Sequence, residues 1–246
     1  MDVNALFDES STGQFPIHWA VFGLSESPEK AVELVKFLLA VNASVASQRI
    51  RGTVMTPLMI AVAACNASNL IPCFEAIEQL YNAYPEAIYD SDLLIAIDIA
   101  RAFGATDVVE FLDDQLSYAD TARDLQLVRT QDEHGYLPLH NALHEQAPLG
   151  TIKLFVEADL STLQTPTTNG NTLLHEACRL RNYDVIEMIL TRYPTAKVCT
   201  KNWLGKLPIQ ALIENDNDEP ENADYLNSIF LLLRANPGIW MSGVSD

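Results

Sequence analysis

Basic residues are scarce in this chain. Lys and Arg total 15 against 33 Asp and Glu, for a formal charge of −18. A field of that sign repels phosphate, so nucleic acid and anionic membrane surfaces make poor partners and a basic protein surface makes a better one. Cysteine is also rare. Cys65, Cys73, Cys178 and Cys199 form no Cys-x-x-Cys pair and have no histidine at zinc-finger spacing. Cys65 and Cys178 fall in apolar helical segments, where a reduced thiol behaves as a small hydrophobe. All four are read as free thiols of a reducing compartment, the cytoplasm in the first instance, with the nucleus also open. The ten glycines are scattered, and none builds a phosphate-cradling loop. Long apolar runs are missing as well. The weakest-charged stretch, 53–72, is interrupted by Thr56, Pro57, Asn66, Ser68 and Asn69, which fits a buried helix and a loop rather than a membrane span. The first residues, Met1 to Ala5, are neither basic nor followed by a long apolar core, so no signal peptide is expected.

What is present is a repeat. Apolar residues make up 48% and charged residues 20% of the 246, enough for a packed soluble core. One six-residue pattern reads Phe15-Pro16-Ile17-His18-Trp19-Ala20 and returns as Thr56-Pro57-Leu58-Met59-Ile60-Ala61. It recurs as Ile95-Ala96-Ile97-Asp98-Ile99-Ala100, Leu137-Pro138-Leu139-His140-Asn141-Ala142 and Thr172-Leu173-Leu174-His175-Glu176-Ala177, with a degraded copy at Leu207-Pro208-Ile209-Gln210-Ala211-Leu212. Measured from the second residue of each copy, the spacings are 41, 39, 42, 35 and 35. After each copy comes an apolar set spaced i, i+3, i+4, which lines one face of a helix. Examples are Val35/Leu38/Leu39, Ile77/Leu80/Tyr81, Ile152/Phe155/Val156 and Ile186/Ile189/Leu190; in the third copy Asp113 breaks the set after Val109 and Leu112. Each unit is therefore a short helix, a turn and an amphipathic helix. Such a pair cannot bury its apolar faces alone, and stacking neighbours supplies the missing cover.

The Pro-Leu-His core, the helix pair and the period resemble ankyrin repeats, over roughly residues 2 to 238. The resemblance implies an all-α, ankyrin-type helical solenoid of about six repeats, near 12–50, 51–89, 90–131, 132–166, 167–201 and 202–238, forming a single domain over 1–246. Proline suits the first helical turn because its φ is preset and its absent N–H has no partner there. Thr56 and Thr172 are expected to cap their helices, and Gly13, Gly135, Gly170 and Gly205 to occupy turns with positive φ. In the family the histidine bonds backbone groups of the neighbouring turn. The copies also depart from the pattern. Phe15, Ile95, Leu137 and Leu207 replace the capping Thr, Val54 and Leu93 replace the turn glycine, and Met59, Asp98 and Gln210 replace the histidine. Extra residues between the two helices are expected around 25–30, 67–72 and 216–222, and a further insertion at 113–128 splits the array into two sets of three copies.

Catalytic and metal chemistry find little support. His140 and His144 share a helix face at i, i+4, but Asn141 stands where a metalloprotease helix needs its glutamate. The plainer reading makes His140 structural and points His144 into the groove. Gly23-Leu24-Ser25-Glu26-Ser27 lacks the second glycine and the strand of a nucleophile elbow. No catalysis, metal or cofactor is expected. The resemblance implies a protein-binding scaffold or adaptor, monomeric, that grips a partner through loop tips and the groove side of the inner helices. Carried over residue by residue, the contact positions are Glu133, His134, Tyr136, His144, Asn169, Asn171, Arg179, Trp203 and Lys206. Tyr136, Arg179 and Trp203 are the expected anchors, since aromatic and Arg side chains dominate interface energetics. Trp203 could equally pack on the next loop, whereas Trp19 and Trp240 are expected to be packing residues. A second reading is a regulatory or targeting segment of a larger enzyme or channel, because the chain starts inside what resembles a repeat loop.

Overall fold

The computed structural model describes residues 10, 13–193, 198–214 and 223–235, and those residues form helices and loops without a strand. It divides into two compact units, residues 1–120 and 121–246. The first carries α1 (Pro16–Phe22), α2 (Pro28–Val41), α3 (Pro57–Ala64), α4 (Leu70–Ala83), α5 (Leu93–Ala102) and most of α6 (Thr106–Arg123). The second carries α7 (Leu125–Val128), α8 (Pro138–His144), α9 (Leu149–Ala158), α10 (Leu173–Arg179), α11 (Tyr183–Arg192), α12 (Pro208–Ile213) and α13 (Ala223–Ala235).

In each unit a row of short helices packs on a row of longer ones. In the first, α1 pairs with α2 and α3 with α4, while α1, α3 and α5 lie side by side and α2 lies beside α4. In the second, α8 pairs with α9 and α10 with α11; α8, α10 and α12 form the inner row, and α9, α11 and α13 the outer. The core sits between the rows. Val35, Ile77, Leu80, Tyr81, Leu112, Ile152, Phe155, Ile186 and Ile189 are all buried from the outer side. At roughly 1.5–3 kcal/mol per buried large apolar side chain, this face is what holds each pair to its neighbours. Asp113 is exposed, so α6 buries Val109 and Leu112 without a third member, and Phe111 turns instead to Phe74 and Tyr81 of α4.

Proline fixes where the inner helices begin. α1, α3, α8 and α12 start on Pro16, Pro57, Pro138 and Pro208, and α10 starts at the matching Leu173. α5 departs from this register: it begins at Leu93, ahead of Ala96. The residue before a proline is barred from helical geometry, and with alanine in place of proline nothing stops the helix extending back through Ile95 and Leu94. The third copy consequently lacks the long projecting loop.

In copies with and without the capping Thr, the side chain at the histidine position accepts the backbone N–H of the cap residue. His18 Nδ1 accepts the Phe15 backbone N–H at 2.9 Å, His140 Nδ1 that of Leu137 at 3.1 Å, and Gln210 Oε1 that of Leu207 at 2.8 Å. Thr56 does cap, accepting the Met59 N–H at 3.4 Å, but the Thr172 hydroxyl bonds His175 Nδ1 at 2.9 Å instead. In the second copy Gly52 takes the positive φ, at +76°, two residues before Val54, in a loop closed by the Ile50 N–H to the Met55 carbonyl. That loop is one residue longer than those at 132–136, 167–171 and 202–206, each closed between its end residues.

The expected insertions at 25–30 and 67–72 fall only partly between the helices, since 28–30 and 70–72 form the first turns of α2 and α4, whereas the two short links in the second unit turn on Gln146 and Arg181, held at φ 57° and 53°. The insertion at 216–222 lies outside the described residues, as do Asp2 to Ala5 and Trp240. Trp19 corrects the sequence reading. It is 57% exposed, because α1 buries Ile17, His18, Ala20 and Val21 and turns Trp19 to the opposite side, against Phe22.

Candidate functional site

Two of the loops before the inner helices of the second unit, 132–136 and 202–206, are tied off by the side chains of their first residues. Asp132 accepts the backbone N–H groups of His134 and Tyr136, both at 2.9 Å, and Asn202 those of Leu204 and Lys206 at 3.0 and 2.9 Å. Burial pushes the Asp132 carboxyl up, but these N–H bonds outweigh it and hold it below the ordinary carboxylate range. Neighbouring loops are joined by backbone bonds: the Thr168 N–H donates to the His134 carbonyl at 3.2 Å, and the Trp203 N–H to the Asn169 carbonyl at 3.1 Å. Gly170 shows how close this approach is. Its φ is +78°, and a Cβ there would sit 2.7 Å from the Trp203 nitrogen and 2.8 Å from its indole. Glycine alone meets both demands.

Beneath the loops, His175 joins consecutive inner segments. Its Nδ1 accepts the Thr172 N–H and its Nε2–H donates to the Lys206 carbonyl at 3.1 Å; His18 makes the same link to Gln48 in the first unit. Burial lowers both histidines from their ordinary value and pushes His140 down to about 4. His140 is fully buried; its Nδ1 accepts the Leu137 N–H, and its Nε2 has no hydrogen-bond partner among the described residues.

The groove side carries a polar cluster centred on a residue the sequence reading passed over. Glu176 is 1% exposed. Its Oε2 takes the Arg179 Nε–H at 2.9 Å and faces Arg179 Nη2 at 2.8 Å and His144 Nε2 at 3.1 Å; its Oε1 takes the Asn171 amide at 2.8 Å. Asn202 donates in turn to Asn171 Oδ1 at 2.8 Å. The Tyr136 ring lies 5.0 Å from the His144 ring. Burial pushes the Glu176 carboxyl up, but the hydrogen bonds from Asn171 and Arg179 and the charges of Arg179 and His144 outweigh it and leave it below its ordinary value. The cluster is thus an ionised carboxylate fixing an arginine by two nitrogens, with the arginine side chain half-exposed and its Nη2 also 3.3 Å from His144 Nε2.

Residues 169–197, which supply Asn171, His175, Glu176 and Arg179, match the family model of the ankyrin repeat. The chain contains an ankyrin repeat. No curated protein matches the sequence.

Within and beside that ankyrin repeat the nine expected positions sort into three groups. Tyr136, His144, Asn171 and Arg179 converge on Glu176. Asn169 and Trp203 meet at adjoining loop tips, where Trp203 both packs on Gly170 and stays 72% exposed. Glu133, His134 and Lys206 stand apart: Glu133 and His134 lie 3.6 Å from each other on an exposed tip, and Lys206 pairs with Glu214. His144, expected to be solvent-facing, is only half-exposed, because Tyr136 and Glu176 close over it. The signal for Glu176 was present in its own segment, as a glutamate amid buried Leu173, Leu174 and Ala177 with an arginine three residues on. A buried charge is rarely left without such a partner.

Proposed function

We propose that this protein is a non-catalytic scaffold or adaptor that binds a partner protein with a basic surface through the groove side and loop tips of residues 132–214. In this reading the six copies form one ankyrin-type solenoid and a single domain, and the chain works as a cytoplasmic monomer. The observation that carries the proposal is Arg179, held by a buried carboxylate and flanked by Tyr136 and His144, one loop away from an exposed Trp203. Pre-fixing a planar, charged side chain before contact removes much of the ordering cost of binding, and Arg, Tyr and Trp are the residues on which interface energy concentrates. The acidic balance of the chain supports the choice of a basic partner.

The test uses Tyr136→Ala with Trp203→Ala, which leaves the Glu176–Arg179 pair in place. Proteins captured by the wild-type chain are identified by mass spectrometry, and the affinity of the purified partner is then titrated. The double variant should keep its circular dichroism spectrum and bind at least about tenfold more weakly, a loss of about 1.4 kcal/mol. Binding that survives this change but disappears when Asp216, Asp218, Glu219 and Glu221 are neutralised would place recognition elsewhere and end the groove reading.

A further inference from the structure

Between α11 and α13, in the outer row of the second unit, lies a cavity of about 320 Å³, large enough for a small organic molecule. The register explains why it opens there. Matching Ile186 and Ile189 with Ile229 and Leu232 puts Ser228 of α13 at the position that Val185 holds in α11. Val185 is 1% exposed and fills its place with two methyl groups, whereas the smaller Ser228 leaves space. Ser228 is 2% exposed and lines the cavity, yet its hydroxyl has no hydrogen-bond partner among the described residues. Buried hydroxyls are ordinarily satisfied, so one that faces a cavity unmet is met from outside the chain. Three carboxylates stand around it. Asp184 and Glu187 share a face of α11, and Asp224 lies one turn before Ser228 on α13; all three are exposed. The cations near by are engaged elsewhere: Arg192 reaches Glu157 at 4.0 Å, and Arg181 lies over the Tyr225 ring at 5.4 Å. The remaining lining is mostly apolar, with half-buried Tyr183 and Leu231 and exposed Phe230.

We propose that the cavity between α11 and α13 binds a linear alkyl polyamine. Carboxylates beside an apolar lining call for a cation with a hydrocarbon body, and their sign turns away phosphorylated and carboxylic ligands. A single metal ion does not fit, because no three carboxylate, histidine or cysteine groups among the described residues converge as metal ligands. Charges set apart on two helices suit a ligand whose own charges are set apart. The ammonium groups pair with Asp184, Glu187 and Asp224, and one N–H donates to the Ser228 hydroxyl. The methylenes lie against Tyr183, Phe230 and Leu231, and the two aromatic faces add their attraction for a cation. Along α13 the lining runs from Asp224 to Leu231, about 10 Å of helix, a length that an extended chain with three amino groups spans. The cavity belongs to the outer row and is separate from the Glu176 cluster of the inner row.

The probe is spermidine, titrated into the full chain by isothermal calorimetry at about 0.15 M salt, where attraction to the acidic chain as a whole is screened beyond about 8 Å. Binding should saturate at one spermidine per chain. Ser228→Val, which copies Val185 and changes no charge, should weaken it at least tenfold, and so should Glu187→Gln with Asp224→Asn. Glu26→Gln with Glu29→Gln removes the same charge in the first unit and should leave binding as in the wild type. Nα-acetyl-lysine amide, with a single ammonium group, should bind at least tenfold more weakly than spermidine. Should Ser228→Val lose its helical circular dichroism, the Glu187→Gln/Asp224→Asn variant decides. The proposal is overturned if spermidine shows no saturable binding, if the cavity variants bind it as tightly as the wild type, or if the Glu26→Gln/Glu29→Gln variant weakens it as much as they do. It is also overturned if the lysine amide binds as tightly as spermidine, which would assign the cavity to a lysine side chain of another protein.

Discussion

At the scale of single residues, Glu176 and Arg179 act as one unit. Arg179→Ala leaves a carboxylate that is 1% exposed facing only Asn171 and half-exposed His144, and should destabilise the chain by about 3–5 kcal/mol. Adding Glu176→Gln should recover a large part of that, and urea unfolding of the single and double variants measures it; an additive double variant means the pair is not coupled. The histidines make a second ranking. His175→Ala removes a link from Thr172 to Lys206 and should cost about 1–3 kcal/mol, more than His144→Ala, whose ring keeps solvent on one side. An equal or reversed ranking would contradict the assignment of His175 as the structural histidine. The buried histidines also set a pH dependence. His140 titrates in the unfolded chain near 6.5 but in the folded chain only at about 4, so as pH falls the unfolded state takes up protons first. Stability is therefore full above pH 6.5, is lost between 6.5 and 4 by roughly 3 kcal/mol from His140 alone, and His18 and His175 add in the same direction. Glu176, held below its ordinary value, adds a further loss as pH falls through its folded titration. A urea midpoint unchanged between pH 7 and pH 4.5 would refute this.

At the scale of elements, the loops show what the sequence disclosed and what it withheld. The pairing of a short helix with an amphipathic one was legible because apolar spacing reports which face is buried. The starts of α1, α3, α8 and α12 were legible from proline. The start of α5 was not, since the absence of proline leaves the boundary to packing, and Trp19 was misplaced because a large aromatic in an apolar helix reads as core whichever way it turns. The cluster around Glu176 was half legible. Tyr136, His144, Asn171 and Arg179 follow from the repeat register, but His144 and Glu176 are 32 positions apart, and their contact exists only once α8 and α10 lie side by side. Loop stacking gives its own test. Gly170→Ala meets both a positive φ and the Trp203 backbone, whereas Gly205→Ala meets a positive φ of 73° with nothing within 4 Å. Gly205→Ala should cost about 1–2 kcal/mol and Gly170→Ala distinctly more, read by thermal unfolding. Equal costs would mean that the 167–171 and 202–206 loops do not press on one another.

At the scale of the whole molecule, the same pattern of short and long helices carries two different inner surfaces, one with exposed Trp19 and Phe22 and half-exposed Ala63 and Ala64 in the first unit, one polar and pre-ordered in the second. The excess of acid spreads over both, so binding to a basic partner should weaken as salt rises from about 0.05 to 0.5 M, where screening shortens from beyond 10 Å to a few ångströms; salt-independent binding would remove charge from the account. The claim on which the functional reading rests is that the second unit meets its partner with the Glu176 side. Hydrogen exchange followed by mass spectrometry, on the chain alone and saturated with its purified partner, tests it most directly. The account predicts added protection in the loops at 132–136, 167–171 and 202–206 and in α8 and α10. Protection confined to the outer helices α9, α11 and α13, with those loops exchanging as in the free chain, would contradict it.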